Sequence, residues 1–310
     1  MIYLDVVGRC GNQMFQYAFA RKLSLLNNDK ITIDFNKVYK YGKEINDKTF
    51  CDELKNFKAS EVYQTINDDC NKIYKYGSRR QVFIFKVYTK LKRFLQKFSS
   101  DKRLANKFMY RIMCKSGIYW YIAPEKIKKC KEKNKFVFGF FENPAYFDDI
   151  KEYLYDEFKP NFEEKEKNSE MYNQIRNSES VCISFRKWCS NEFVTSEREV
   201  CDQKYYEKAI EKIKTIIPNA RYVVFSNDVN WVKENFNLPE NSIYEDGTDE
   251  VWEKIRLMYI CKHFIVANST FCWWAQYLGQ DKNKIVVSPD RWLNNEKDIN
   301  PLITENFIKI

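Results

Sequence analysis

Residues 2–20 read IYLDVVGRCGNQMFQYAFA, which is the pattern of a strand, a glycine turn and a helix. The apolar run 2–7 predicts the strand, and the segment from Met14 onward predicts the helix. Glycine lets the backbone approach a ligand, and a helix N-terminus presents unpaired N–H groups to negative charge. The turn at Gly8 and Gly11 therefore fits a phosphate site, but it fits a plain tight turn equally well. It lacks the glycine spacing of a dinucleotide fold and the Lys-Ser/Thr ending of a P-loop.

From residue 180 onward, short apolar runs alternate with segments of helical period. This alternation is typical of a parallel sheet flanked by helices, so it predicts a doubly wound α/β domain. Ligands of such domains bind at the carboxyl ends of the strands. The predicted strands cover 181–185, 221–226, 263–267 and 284–288, and the predicted helices cover 205–216, 229–236, 250–261 and 271–278.

The polar stretch 160–180 marks the expected boundary between two domains. It contains few apolar residues and indicates a connection with some helix. A chain of 310 residues is long enough for two hydrophobic cores. We therefore expect an N-terminal α/β domain over 1–160 and a C-terminal domain over 161–310. The strands expected in the first domain cover 2–7, 31–35 and 136–141.

The formal net charge of +9 favours an anionic partner without choosing among nucleic acid, a membrane surface and a nucleotide sugar. No nucleic-acid partner is expected, because no recognition motif occurs and the basic residues are dispersed. The ten cysteines form no Cys-x-x-Cys pair, and the single histidine, His263, cannot complete an ordinary Cys/His zinc site. Neither disulfides nor a structural metal is expected. Without a signal peptide or a run of about eighteen apolar residues, we expect a cytoplasmic protein.

Residues 79–98 show the pattern of a basic amphipathic helix. Apolar residues recur at helical spacing, while lysines and arginines fill other positions. One interpretation is a helix that docks on its own core with a charged face in solvent. The alternative is peripheral attachment to an anionic surface at the inner face of the cell membrane. The apolar set is Ile84, Val87, Leu91, Phe94, Leu95 and Phe98, and the basic set is Lys86, Lys90, Lys92, Arg93 and Lys97.

Residues 11–19, GNQMFQYAF, are similar to the opening signature of bacterial alpha-1,2-fucosyltransferases. The core Gly-Arg-x-Gly-Asn-Gln is also similar to that of protein O-fucosyltransferases. The resemblance covers nearly the whole chain in the order of the family's motifs. It continues through 138–142, 146–147, 205–210, 225–231, 258–263, 267–274 and 289–292.

The resemblance implies a GT-B-like α/β fold, in which two Rossmann-like domains face each other across a cleft. It implies an inverting glycosyltransferase that moves L-fucose from GDP-fucose, held mainly by the second domain, to a hydroxyl of a glycan. An alpha-1,2 linkage, a role in surface polysaccharide synthesis and a glycan acceptor that can be lipid-linked are the corresponding expectations. The family needs no metal or other cofactor. This sequence agrees, because it lacks the Asp-x-Asp motif by which another common transferase fold holds a metal.

The family's donor motif, His-x-Arg-Arg-Gly-Asp, aligns with residues 184–189, where only the first arginine, Arg186, is intact. A guanidinium at this position can grip two phosphate oxygens and stabilise GDP as it departs, although a surface ion pair is the alternative role. Ser184 replaces the histidine, and Lys187 replaces the second arginine. These departures leave open another nucleotide deoxysugar as the donor, or a degenerate protein that binds a sugar nucleotide without transferring the sugar.

Four further residues are expected to bind the donor. Asp228 matches an acidic residue that accepts hydrogen bonds from guanine in the related enzymes, and it also suits a helix N-cap. Ser269 and Thr270 lie between a strand and a helix, where hydroxyls and amides can hold a diphosphate or simply cap the helix. Gly11 is the fourth, as part of the glycine turn.

Three more residues are candidates for catalysis. Asn12 matches an asparagine that is important in the O-fucosyltransferases, and it is expected to orient the acceptor hydroxyl. Glu142 and Glu192 are the candidate carboxylate bases by position, with ordinary surface glutamates as the alternative. The tryptophans Trp273 and Trp274 are expected in the core rather than in a carbohydrate site.

Overall fold

A computed structural model describes residues 1–67, 71–98, 104–120, 127–187, 196–296 and 299–310. The chain divides into two compact units, 1–158 and 159–310, which we call domain 1 and domain 2. The sequence-based boundary lay between 160 and 161, and the roles expected of the two domains remain predictions. The α/β class with two Rossmann-like domains is confirmed, because each domain is built on its own parallel sheet.

Domain 1 contains a five-stranded sheet. Its strands are β1 (Ile2–Asp5), β2 (Ile31–Asp34), β3 (Tyr63–Thr65), β4 (Ile118–Tyr119) and β5 (Lys135–Val137). They lie in the order β3-β2-β1-β5-β4, with parallel pairing between neighbours. The helices are α1 (Cys10–Asn27), α2 (Asn36–Glu44), α3 (Lys72–Tyr76), α4 (Arg79–Leu95), α5 (Leu104–Lys115) and α6 (Lys151–Glu157).

Domain 2 contains a six-stranded sheet that confirms the predicted alternation of strands and helices. The chain order is α7 (Ser169–Arg176), β6 (Glu179–Phe185), α8 (Gln203–Ile216), β7 (Ala220–Ser226), α9 (Val229–Asn235), β8 (Ile243–Tyr244), α10 (Val251–Tyr259), β9 (His263–Ile265), α11 (Thr270–Leu278), β10 (Val286–Ser288) and β11 (Ile308–Lys309). The strands lie in the order β11-β10-β9-β6-β7-β8, and neighbours pair in parallel.

The cores explain why these segments take up these structures. Every residue of α1 from Cys10 to Ala20 except Asn12 is buried, as expected for a helix that is apolar around its whole circumference. The central strand β6 is buried from residue 180 to 183, as parallel strands covered on both faces are. Trp273 and Trp274 are 1% and 0% exposed, which confirms their expected place in the core.

The predicted strand 136–141 is too long at its carboxyl end, because β5 ends at Val137. Phe141 has a left-handed backbone with φ +53°, which an extended strand does not allow. In this conformation the ring of Phe141 stacks on Phe19 of α1, with ring centroids 3.7 Å apart. The segment after β5 therefore turns back onto α1 rather than continuing the sheet.

Membrane-spanning helices and disulfides were the subject of two further expectations. Among the described residues, no helix combines the length and the apolar composition that crossing a bilayer requires. The described cysteines are all free thiols.

Candidate functional site

The sheet of domain 2 has a topological switch between β6 and β9. Helix α8 connects β6 to β7, and α11 connects β9 to β10. These two connections run in opposite directions along the sheet, away from the boundary between β6 and β9. Doubly wound domains bind ligands in the crevice at the carboxyl ends of two such strands. The predicted donor residues lie at or after the carboxyl ends of β6, β9 and the neighbouring strand β7, so they share this edge of the sheet. They are Ser184, Arg186, Lys187, Asp228, Ser269 and Thr270.

The loop after β6 is fastened to the loop after β7 by Asn227. The backbone N–H of Lys187 donates to Asn227 Oδ1 at 2.9 Å, and Asn227 Nδ2 donates to the backbone oxygen of Lys187, also at 2.9 Å. This pair of bonds fixes the main chain directly after the half-buried Arg186. From the sequence, Asn227 belongs to the motif 225–231 and is expected at most to cap the following helix, in place of Asp228, so this link between the two loops was missed. An asparagine immediately after a buried strand was the available signal.

Asp228 has two partners, one for each carboxylate oxygen. Its Oδ1 accepts a hydrogen bond from the backbone of Trp231 at 2.9 Å, so Asp228 is the N-cap of α9. Its Oδ2 lies 2.7 Å from Lys187 Nζ. The Lys187 ammonium, together with the cap bond, holds the pKa of Asp228 below its ordinary value. The structure thus joins two predicted donor residues in one ion pair and keeps this carboxylate negatively charged.

Ser184 and Ser269 meet at the first turn of α11. The Cys272 thiol in that turn donates to the backbone oxygens of Ala267 and Ser269 at 3.1 and 3.2 Å, and the Ser184 and Ser269 side chains also lower its pKa. Burial raises the pKa of Cys272 to about 11, and these hydrogen bonds partly offset the effect of burial. Ser269 occupies the N-cap position of α11, but its side chain makes no capping bond, which makes the capping role wrong for Ser269. Thr270 is the first residue of the helix.

This edge of domain 2 has the chemistry of an anion site. The first turn of α11 presents backbone N–H groups, beside the hydroxyls of Ser184 and Ser269. Arg186 follows Ser184 by two residues and can form paired hydrogen bonds to phosphate oxygens. Lys187 adds a second cation, with its side chain 44% exposed although it is paired with Asp228.

Domain 1 carries its candidates at the carboxyl ends of β1 and β5, which are neighbours in the sheet. Gly8 forms the turn after β1 with φ +83°, and a Cβ added there would lie only 2.5 Å from Asn12 Nδ2. Glycine is therefore required at residue 8 both by its backbone and by the Asn12 side chain that packs over it. The expected two-glycine turn is wrong in one respect. Gly11 is the buried second residue of α1, because the helix already begins at Cys10.

Two glutamines of the same segment were missed, and both fix the backbone around this turn. Gln16 donates to the Val7 backbone oxygen at 2.7 Å and accepts from the Val7 N–H at 3.0 Å. Gln13 donates to the backbone oxygens of Gly8 and Cys51 at 3.1 and 2.7 Å. Both glutamines are 0% exposed. Two amides among the buried positions of an otherwise apolar helix were the signal that could have found them.

The candidate carboxylates of domain 1 differ in their surroundings. Glu142 is half-buried in the segment after β5, at the same edge of the sheet as Asn12. Glu192 lies outside the described residues, as do residues 188 and 189 of the aligned donor motif. Asp5, which the sequence analysis missed, is the last residue of β1 and is 6% exposed. Its Oδ2 pairs with Lys37 Nζ at 2.7 Å, and within the described ranges no hydrogen-bond donor reaches its buried Oδ1.

One group of carboxylates among the described residues is close enough to hold a metal ion: Glu245, Asp246 and Asp249, in the loop after β8. Three lysines already pair with this group. Lys167 Nζ lies 2.9 Å from Asp249, Lys254 lies 3.3 Å from Glu245, and Lys165 lies 3.3 Å from Asp249. These ammonium groups supply the positive charge that a cation would bring, which is the arrangement of a structural ion-pair network.

Comparison with known proteins gives matches over almost the full length. A family model described as Glycosyl transferase family 11 matches residues 1–301. The chain is 26% identical to an alpha-1,2-colitosyltransferase of Escherichia coli, covering 96% of this chain and 94% of the relative. It is also 26% identical to the O-antigen biosynthesis glycosyltransferase WbnK of Escherichia coli, covering 96% and 97%. Among solved structures, it is similar to the fucosyltransferase NodZ from Bradyrhizobium, with a TM-score of 0.48, 10% identity and coverage of 89% and 91%.

Proposed function

The chain belongs to glycosyltransferase family 11, and from that premise we propose that it transfers L-fucose from GDP-fucose to a glycan hydroxyl, with inversion and in alpha-1,2 linkage. The observation that carries the proposal is the anion site of domain 2. There Ser184, Ser269 and the first turn of α11 lie together at the switch between β6 and β9, and Arg186 follows Ser184 by two residues. In this proposal the product becomes part of a surface polysaccharide. The acceptor is a glycan, either free or attached to a lipid.

The chemistry assigned to domain 2 is stabilisation of the departing diphosphate. As the bond between sugar and phosphate breaks, negative charge grows on the phosphate oxygens. Fixed donors aimed at that charge lower the barrier because they need no reorganisation during the reaction. Arg186 is the main donor in this proposal, and the Ser184 and Ser269 hydroxyls and Thr270 support it. Asp228, kept charged by Lys187, accepts the N–H groups of guanine.

The chemistry assigned to domain 1 is orientation of the acceptor hydroxyl by Asn12, whose side chain is held against Gly8. Gly11 is buried within α1, so its contribution to donor binding is limited to the backbone of that turn. The base that takes the hydroxyl proton remains to be chosen among three carboxylates. Glu142 and Glu192 are the original candidates, and Asp5 joins them because its buried Oδ1 has no hydrogen-bond donor within the described ranges.

A second candidate donor is the nucleotide of colitose, which is L-fucose without its 3-hydroxyl. Two observations favour it: the relative named alpha-1,2-colitosyltransferase, and the replacement of two donor-motif residues by Ser184 and Lys187. A transfer assay with GDP-fucose and GDP-colitose side by side separates the two donors. Binding of both nucleotides with transfer of neither sugar would instead identify the degenerate binding protein.

The first prediction concerns the nucleotide. GDP and GDP-fucose at about a hundredfold their dissociation constants will raise the free energy of unfolding by about 2.7 kcal/mol, whereas UDP-galactose will give little change. The reason is that the guanine edge has N–H donors for the Asp228 carboxylate, and uracil presents a different edge. Thermal melting with each nucleotide measures the effect.

Asp228→Asn is the matched variant for that measurement. Asparagine is as good an N-cap as aspartate, so α9 keeps its cap while the acceptor charge is lost. The variant will melt close to the wild type without ligand and will lose most of the shift caused by GDP. Equal stabilisation of the wild type by UDP-galactose would show that the guanine assignment is wrong.

The second prediction concerns metal. Transfer will persist after complete chelation with EDTA, because Arg186 and Lys187 supply the positive charge near the diphosphate. Initial rates with and without EDTA, before and after added magnesium or manganese, measure this directly. Loss of activity with rescue by either metal would contradict the prediction. In that case Asp246→Asn would identify the site, because Asp246 is the exposed carboxylate of the group after β8.

A further inference from the structure

Helices α4 and α5 of domain 1 pack against each other, and each of them exposes large apolar side chains. The two helices are joined by a hydrogen bond from the Tyr88 hydroxyl to Asn106 Oδ1, at 2.6 Å. On the inner side, Ile84, Phe85 and Tyr88 are buried in the core. The two helices and the turn after α4 also carry six large apolar residues that are exposed, which we call together the α4–α5 face. They are Phe83 (68% exposed), Val87 (39%), Phe94 (59%), Phe98 (74%), Phe108 (66%) and Ile112 (51%).

The sequence leaves two roles open for residues 79–98, and in the structure the helix has one stripe that docks on the core and one that is exposed. Ile84 belongs to the stripe that docks on the core, as the first interpretation required. Phe94 and Phe98, from the same predicted apolar set, point to solvent instead. The exposed residues Phe83, Val87, Phe94 and Phe98 follow each other at intervals of four and seven, so they form a second stripe along one side of the helix.

The charged residues that the two helices themselves carry are all basic, and one of them, Arg80, pairs with Glu132. Residues 79–98 and 104–120 contain no aspartate and no glutamate. A basic stripe at Lys86, Lys90, Arg93 and Lys97 runs at helical spacing next to the exposed apolar stripe, and all four side chains are exposed. The helices themselves carry nine basic residues: Arg79, Arg80, Lys86, Lys90, Lys92, Arg93, Lys107, Arg111 and Lys115.

We propose that the α4–α5 face binds the surface of an anionic phospholipid bilayer. Phenyl rings between basic side chains match the boundary between lipid headgroups and acyl chains, with the rings below and the cations at the level of the phosphates. A nucleic acid would satisfy the cations but leave six large apolar side chains in water. The inference goes beyond the proposed transfer reaction and does not depend on the identity of the donor. It places domain 1 where lipid-linked glycans are found.

Vesicle flotation with the full-length protein tests the inference. The protein will float with vesicles of phosphatidylcholine and phosphatidylglycerol, and it will stay at the bottom of the gradient with phosphatidylcholine alone. High salt will weaken the binding, because dissolved ions screen the attraction between the basic side chains and the anionic lipid headgroups. Equal flotation with both kinds of vesicle, or with neither, would overturn the proposal.

Two variants separate the cations from the rings. Lys86→Gln, Lys90→Gln and Arg93→Gln together will lower the partition coefficient by roughly a hundredfold, since each cation contributes separately near an anionic surface. The matched control changes Lys204, Lys208 and Lys212 to glutamine, three exposed lysines at helical spacing on α8 of domain 2, and will partition like the wild type. An equal loss in the control would mean that net charge alone is responsible.

Phe83→Ser, Phe94→Ser and Phe108→Ser together will lower partition about tenfold or more, while an unchanged circular-dichroism spectrum and melting curve show that the variant is folded. The matched control is Ile216→Ser with Ile299→Ser, two exposed apolar residues of domain 2. If the triple variant misfolds, Phe94→Trp gives a second readout, because its fluorescence will be quenched by brominated lipid more than that of the wild type. Unchanged flotation of a folded triple variant would overturn the proposal. If the wild type is also a dimer in solution and the variant a monomer, the α4–α5 face binds a second copy of the chain instead of the membrane.

Discussion

Replacing Arg186 with alanine will lower kcat by roughly a hundredfold to a thousandfold, or about 3 to 4 kcal/mol of transition-state stabilisation. Binding of GDP-fucose will weaken far less. The physical reason is that phosphate charge grows as the glycosidic bond breaks, so a fixed guanidinium interacts more strongly with the transition state than with the bound donor. Steady-state kinetics, with donor affinity measured separately by calorimetry, give the two effects.

Arg186→Lys and Lys187→Ala sharpen this test. Lysine at residue 186 will recover little, because a point charge lacks the planar fork that holds two phosphate oxygens. Lys187→Ala will have a milder effect on kcat. Lys187 pairs with Asp228, so part of its effect is on the binding of guanine by Asp228 and not on the departing diphosphate. Arg176→Ala is the control, since Arg176 is a surface arginine of domain 2 that pairs with Glu164. A folded Arg186→Ala protein with near wild-type transfer would remove Arg186 from the mechanism.

Replacing Gln16 with leucine will lower the free energy of unfolding by about 3 kcal/mol. Leucine restores the apolar volume, but the Val7 N–H and oxygen both lose their partner, and a buried unmade hydrogen bond costs about 1 to 3 kcal/mol. Chemical denaturation of the wild type and the variant measures the difference. We also expect weaker acceptor use, because the turn that holds Asn12 is no longer fastened to α1.

The control is Gln203→Leu at the start of α8, where the glutamine side chain forms an exposed hydrogen bond to Glu207. Its effect on the free energy of unfolding will stay within about 0.5 kcal/mol, as is usual for surface positions. If Gln16→Leu is equally mild, the two bonds to Val7 are not what holds the turn. A large loss of stability in Gln203→Leu would instead show that glutamine side chains stabilise these helices generally.

The strands and helices of domain 2 were predictable because their pattern is local. An apolar run of about five residues followed by a helical period determines both the element and its burial when the sheet is parallel and covered on both faces. The edge of the sheet at which the donor candidates of domain 2 lie was predictable as well, since each of them lies at the end of a strand or within a few residues after it. For the same reason the family could be recognised from short motifs spread along the whole chain.

Other features of the site depend on residues that are far apart in sequence. The ion pair of Lys187 with Asp228 and the bonds between Ser184, Ser269 and Cys272 form because β6 lies between β7 and β9. No spacing rule predicts such contacts, because they follow from strand order.

The sequence by itself determined the two-domain α/β architecture, the family and the positions of the candidate residues after their strands. These features rest on hydrophobic periodicity and on local motifs. Only the tertiary structure decided the conformation of the Phe141 segment, the helical place of Gly11 and the outward direction of Phe94 and Phe98. Packing against another element decided two of these: α1 for Phe141, and the core under α4 for the two phenylalanines. Gly11 lies in the helix because α1 already begins at Cys10. The same side chain can be buried or exposed depending on which face its helix turns to the sheet, and that choice is made by the whole fold.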